Sequence, residues 1–287
     1  MIVIIDGHIH LFSDAVIENV IRKKNMADML GFQTAPVRRR TGTKSLEQDL
    51  GAAGVAACQL LPTAKASGVR QVNDRCMKMA GESDFLYTAA TLHPDLPAIS
   101  QELHRLKCHG INGIKLCSFS QGFALDAMNT RLMLDAIRHE NAHHHGSFFI
   151  ILDTFFQADA YFGTPPENNP TPDRMGALVA DYPEIVFVAA HMGGLTAPFE
   201  LICDHLVPAD NLYLDTSNAA HTLDETQFVQ LLQSHGPDHI IFGTDWPWFD
   251  QASEMVLVER LMDEAGFSED EQSAVFGKNL ASLLGIG

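Results

Sequence analysis

The first chemical signal is Asp6-Gly7-His8-Ile9-His10, which closes the apolar run Ile2-Val3-Ile4-Ile5. On a β-strand, side chains two apart share a face, so His8 and His10 point the same way. Neutral imidazole nitrogens are good ligands for Zn²⁺, Fe²⁺ or Mn²⁺. A catalytic centre typically needs three protein ligands and an open position for water. Asp245 is the natural third ligand if the last strand neighbours the first, and Asp153 is a candidate fourth. His-x-His alone is a weak signal; His191 and Asp245 at later strand ends make it a much more specific one.

These residues are scattered along the chain, so the fold must gather them. Apolar, β-rich runs at 2–6 (continuing to His10), 55–61, 85–92, 111–117, 147–153, 185–190, 211–216 and 239–244 alternate with helical patterns. The helices are expected at 15–30, 45–53, 68–82, 97–108, 128–144, 173–181, 197–205, 223–234, 252–265 and 269–284. In the first, Val16, Ile17, Val20 and Ile21 make the apolar face. Residues 31–44, 118–126 and 155–172 read as loops. Eight strands apolar on both faces, each followed by helix, give the rhythm of one α/β (β/α)8 TIM barrel spanning all 287 residues. A doubly wound open sheet shares that rhythm, but the first βα turn has no GxGxxG phosphate loop.

In a TIM barrel the chemistry sits at the C-terminal strand ends. Those ends carry Asp6, His8 and His10, then His93, Lys115, Asp153, His191, Asp215 with Ser217, and Asp245. Lys115 reads as either a barrel-mouth or a structural lysine, and His93, before Pro94, as a loop residue. Trp246 and Trp248 either wall the pocket or pack under the rim. Arg38-Arg39-Arg40 is a solvated loop or an anion clamp, and His143-His144-His145 an exposed helix end.

Acidic residues outnumber basic ones 36 to 19, for a net charge of −17, which argues against nucleic acid as a partner. The five cysteines show no CxxC spacing, and Cys58 and Cys117 read as small buried hydrophobes, which suits a reducing compartment. The opening apolar run is too short for a signal peptide, and no stretch reaches membrane-helix length. The expectation is a soluble cytoplasmic protein acting on a small molecule.

Together the motifs resemble the amidohydrolase superfamily, within it the amidohydrolase-related branch that includes aminocarboxymuconate-semialdehyde decarboxylase and related decarboxylases and lactonases. The carrying segments are Ile5-Asp6-Gly7-His8-Ile9-His10, Gly113-Ile114-Lys115-Leu116, Ala190-His191-Met192-Gly193-Gly194 and Phe242-Gly243-Thr244-Asp245-Trp246-Pro247. Residues 277–285 are similar to the family's last helix. The resemblance implies one divalent metal, zinc first with manganese or iron as alternatives, held by His8, His10 and Asp245. It makes His191 an acid/base or polarising group, gives Asp245 the proton of attacking water, and suggests a homodimer. One position departs: the branch ends its fifth strand with a histidine ligand, and here stands Asp153, whose extra negative charge favours a harder ion such as Mn²⁺. The expected activity is metal-assisted hydrolysis or decarboxylation of a small carboxylate-bearing substrate, bound with the help of Lys115, an arginine of 38–40 and Trp246. The rivals are a metal-independent lactonase and a catalytically inactive barrel used for binding.

Overall fold

A computed structural model describes residues 3–143 and 147–286. It contains β1 (Ile5–Ile9), α1 (Asp14–Arg22), α2 (Lys24–Met29), α3 (Thr34–Val37), α4 (Gly42–Ala53), β2 (Ala57–Leu60) and α5 (Val69–Gly81). Then come β3 (Leu86–Thr88), β4 (Ala90–Thr91), α6 (Ile99–Cys108), β5 (Gly113–Leu116), α7 (Ser118–Gln121), α8 (Met128–His143), β6 (Phe149–Leu152) and α9 (Ala158–Phe162). The last third holds α10 (Pro172–Asp181), β7 (Val186–Ala189), α11 (Phe199–His205), β8 (Leu212–Asp215), α12 (Glu225–His235), β9 (Ile240–Ile241), α13 (Gln251–Ala265), α14 (Glu269–Ser273) and α15 (Asn279–Leu284).

All strands pair in parallel, in the orders β1-β2-β3 and β4-β5-β6-β7-β8-β9. β3 and β4 are one stave interrupted at Ala89, so nine segments make the eight expected staves. The barrel closes where β1 meets the end of β9: Gly7 N donates to Phe242 O (2.8 Å), Asp245 N to His8 O (2.9 Å) and His10 N to Trp246 O (2.7 Å). Glycines permit this seam. A Cβ on Gly7 would lie 2.8 Å from Ile241 Cγ2, and one on Gly243 2.8 Å from His8 Cβ. The fold is a TIM barrel.

Side-chain alternation builds two cores. Ile150 and Leu152 face outward and join the large cluster beneath the helices. Phe149 and Ile151 face inward and meet Ile5, Ala57, Ala89, Val188 and Ile241 from across the barrel.

Some details depart from expectation. The helix expected at 15–30 breaks at Lys23 into α1 and α2, and Val16 is exposed while Ile17 and Val20 are buried. The loops expected at 31–44, 118–126 and 155–172 contain α3 and the start of α4, α7, and α9. These short helices are set by packing over the mouth, which local periodicity does not encode. The last helix changes pitch through a π-helical turn at Ala274–Lys278. His144 and His145 lie outside the described residues; His143 is exposed and its Nδ1 donates to His139 O (2.7 Å).

Candidate active site

The end of β1 sends His8 and His10 into the mouth, both buried. Their tautomers follow from their partners. His8 Nδ1 donates to Asp215 Oδ2, an ionised carboxylate, at 2.8 Å. His10 Nδ1 donates to the Leu61 carbonyl at 3.0 Å. Both Nε2 atoms therefore turn lone pairs into the mouth, and they lie 3.1 Å apart. Asp245 Oδ1 is 3.5 Å from His10 Nε2. His8, His10 and Asp245 offer three ligand atoms within 4.8 Å of one another.

Two lone pairs so close repel unless a cation lies between them. Burial, helped by Lys115, pushes His8 down to about 4, and burial with His8 and Lys115 puts His10 well below its ordinary value, so a bridging proton is disfavoured. The donor set, two neutral imidazoles and a carboxylate, fits a divalent metal.

Asp215 serves as more than a strand end. Its Oδ1 accepts from the backbone N–H of His191 (2.9 Å) and of Ser217 (3.1 Å), and from the Ser217 hydroxyl. Despite burial, His8, His191 and these donors hold it well below the usual carboxylate range. It fixes His8 as an outer carboxylate fixes a metal-binding histidine.

Asp153, the candidate fourth ligand, lies beside two cationic side chains. Its Oδ2 lies 3.2 Å from Lys115 Nζ and its Oδ1 3.5 Å from His191 Nε2. Burial opposes its ionisation, but Lys115 and His191 hold it well below the ordinary value. Lys115, expected at a substrate carboxylate, is fully buried against Asp153 and stands outside the cavity lining. Burial alone would lower His191; Asp153, with Asp245 and Asp215, overrides it and raises the imidazole to about 9. Its Nδ1 donates to Ser217 O at 2.9 Å, which leaves Nε2 toward Asp153 and the mouth. Asp245 is pushed up to about 8 by burial, with Asp153 and Asp215 adding to it against His191 and Lys115. His191 and Asp245 both adopt left-handed backbone conformations (φ 57° and 61°), an uncommon state that clusters at working sites.

Above this floor lies a cavity of about 790 Å³. His10, Asp153, His191 and Asp245 reach it, and Phe12, Phe32, Phe119, Phe155, Phe162 and Trp248 wall it. Trp248 stacks on Phe32 at 4.5 Å, and Phe12 on His10 at 4.7 Å. Trp246, expected at the substrate, is fully buried away from the cavity, with its indole N–H on Asp49 (2.9 Å). Two arginines of the run are engaged within the protein: Arg38 pairs with Glu18, and Arg40 bonds Gln33, Pro247 O and Asp250. His93 is a buried loop residue that bonds the Gln121 carbonyl at 3.1 Å. Trp248 walls the cavity, one of the two readings its sequence position allowed, but the five phenylalanines escaped sequence reasoning, although Phe12 and Phe155 each stand two residues beyond a floor residue, His10 and Asp153.

A TIM barrel with a His-His-Asp group at its mouth is the class this geometry defines. The chain belongs to the amidohydrolase family, whose model matches residues 5–286. Solved structures of similar fold include an uncharacterized TIM-barrel protein of Bordetella bronchiseptica (16% identity, TM-score 0.75, 98% of each chain). Others are a dihydroxybenzoic acid decarboxylase of a Polaromonas species with bound manganese and the inhibitor 2-nitroresorcinol (18% identity, TM-score 0.71, 99% of this chain and 97% of that) and a probable 2-pyrone-4,6-dicarboxylic acid hydrolase of Acinetobacter baumannii with citric acid bound (17% identity, TM-score 0.61, 99% of each). At these identities the likeness is one of fold. No curated protein matches the sequence significantly. Among the described residues no helix is long and apolar enough to cross a membrane.

Proposed function

We propose that this chain is a metal-dependent enzyme that hydrolyses or decarboxylates a small carboxylate-bearing substrate at the barrel mouth. The observation that carries the reading is the pair of facing Nε2 lone pairs of His8 and His10, 3.1 Å apart beside Asp245. His8, His10 and Asp245 would hold the ion; the donor set accepts zinc, manganese or iron, and the manganese bound in the Polaromonas decarboxylase supports manganese beside zinc. Bound there, the ion would supply Lewis acidity to a substrate oxygen or to water.

The chain's own residues do the rest. Asp215 and the Leu61 carbonyl orient the two imidazoles. His191, charged at neutral pH beside Asp153, gives a proton from Nε2 to a product carbon or a leaving oxygen. Asp245 accepts the proton of a water in hydrolysis. The aromatic wall excludes bulk water and strengthens these charge effects.

Elemental analysis of the purified chain tests the reading. We expect stoichiometric zinc or manganese in the wild type, and loss of both metal and turnover in His8→Ala and His10→Ala. Unchanged metal in both variants sinks it. The carboxyl of Asp245, pushed up to about 8 by burial, favours a second reading as a metal-independent lactonase with Asp245 as base. Turnover that survives exhaustive chelation and rises as pH passes about 8 would select that reading.

A further inference from the structure

The cavity is larger than a single carboxylated ring requires. Its volume of about 790 Å³ lies high in the range of roughly 300–1,000 Å³ that suits drug-sized ligands. Part of its lining comes from α5, which turns one stripe of its surface to the cavity: Val72, Arg75, Cys76 and Met79, three and four residues apart. Cys76 is buried in the apolar cluster between β2 and its helices, and half-buried Val72 and Met79 pack against that cluster, so this arm of the lining is largely apolar.

Charge is distributed just as unevenly. The floor carries the carboxylates Asp153 and Asp245. Lys65 and Arg75 are the Lys and Arg side chains among the lining residues, and both are exposed. Elsewhere Arg38, Arg40, Arg105, Arg131 and Arg260 each take a carboxylate at 3.5 Å or less. Among the described residues neither Lys65 nor Arg75 takes a carboxylate at that distance, a state shared by Arg22, Lys44 and Arg70 among others; what sets the two apart is their place in the cavity lining.

We propose that the substrate is an elongated, two-ended acid: a reacting group on the floor, an apolar aryl or alkyl body along the aromatic wall and the α5 stripe, and a distal anionic group between Lys65 and Arg75. The inference rests on the floor being the reacting end, and it adds the length and the second charge. Lys65 and Arg75 attract the distal group and select against uncharged tails; the apolar stripe selects length.

Calorimetric titration of the full chain, metal-free and manganese-loaded, tests this with three probes: benzoate, benzoate with a six-carbon para chain, and the same chain ended in a carboxylate. We expect affinity to rise from the first to the third. In the surface double variant Lys65→Met/Arg75→Met, the third probe weakens about ten-fold while the other two stay within about two-fold. Met79→Trp, which fills the arm, weakens both long probes and spares benzoate; should it fail to fold, the double variant decides alone. A third probe no tighter than benzoate in the wild type, or equal weakening of all three in the double variant, overturns the inference. Binding is read without turnover: the expected pattern in a chain that turns nothing over would remove the proposed reaction only, and turnover of short acids without the pattern would remove this inference only.

Discussion

The two ends of the barrel interior are built from the same staves and teach opposite lessons. Along β6, Phe149 and Ile151 face inward at the foot, and Asp153, the next inward position, faces inward at the mouth. At the foot, Ile5, Ala57, Ala89, Val188 and Ile241 complete an apolar plug against Leu280 of α15. At the mouth stand His8, His10, Lys115, Asp153, His191, Asp215 and Asp245. Both ends are built on buried side chains: Ile151 is 2% exposed and His8 0%. Burying apolar surface stabilises directly, whereas burying ionisable groups costs free energy unless each finds a partner. The foot therefore supplies the stability on which the mouth draws.

The sharpest way to break this contrast is at the foot. Phe149→Ala should cost about 3–5 kcal/mol, read as a lower urea midpoint, with the metal content of the folded fraction unchanged. Loss of metal without loss of stability would show that the plug and the mouth are not separate in function. Next comes the pair at the mouth. Asp153→Asn leaves the Lys115 ammonium buried without its carboxylate, and should cost about 3 kcal/mol while metal binding persists. Lys115→Met/Asp153→Leu should recover most of that loss; metal lost in Asp153→Asn would make Asp153 a ligand after all.

The smallest expected effect is a pH dependence below the barrel, at His235, where α12 leads back toward β9. Burial, with His239 adding to it, pushes this histidine down from 6.5 to about 4. The unfolded chain binds its proton below about 6.5 and the folded chain only near 4, so stability is full above that window and falls as pH drops through it. The loss attributable to this group is at most about 3 kcal/mol. Comparing denaturation of the wild type and His235→Leu between pH 7 and 4 checks it: the variant's profile should be flatter.

Much of this was legible because it is periodic or local. Continuous apolar runs between helical patterns declared the staves, and the period of two put His8 and His10 on one face. Cys58 and Cys117 are buried, as their apolar neighbours suggested. The errors fall where local pattern is silent. A tryptophan beside Asp245 looked like a substrate wall, yet Trp246 turns to Asp49, 197 residues away, and Trp248 faces the cavity. The arginines of 38–40 looked like one motif, but Arg38 and Arg40 answer to different carboxylates that the folded loops bring near.

The sequence alone determined the barrel, the family and the His8–His10–Asp245 group, because strand spacing and motif order fix which residues reach the mouth. Only the tertiary structure decided which charges stand beside Asp153. Its ligand-like place at a strand end said nothing of Lys115, inward on the stave to one side in register with Ile151, or of His191 at the end of the stave on the other side. Whether a buried carboxylate meets a metal or an ammonium depends on which charges neighbouring staves place beside it, and that pairing exists only once the barrel has closed.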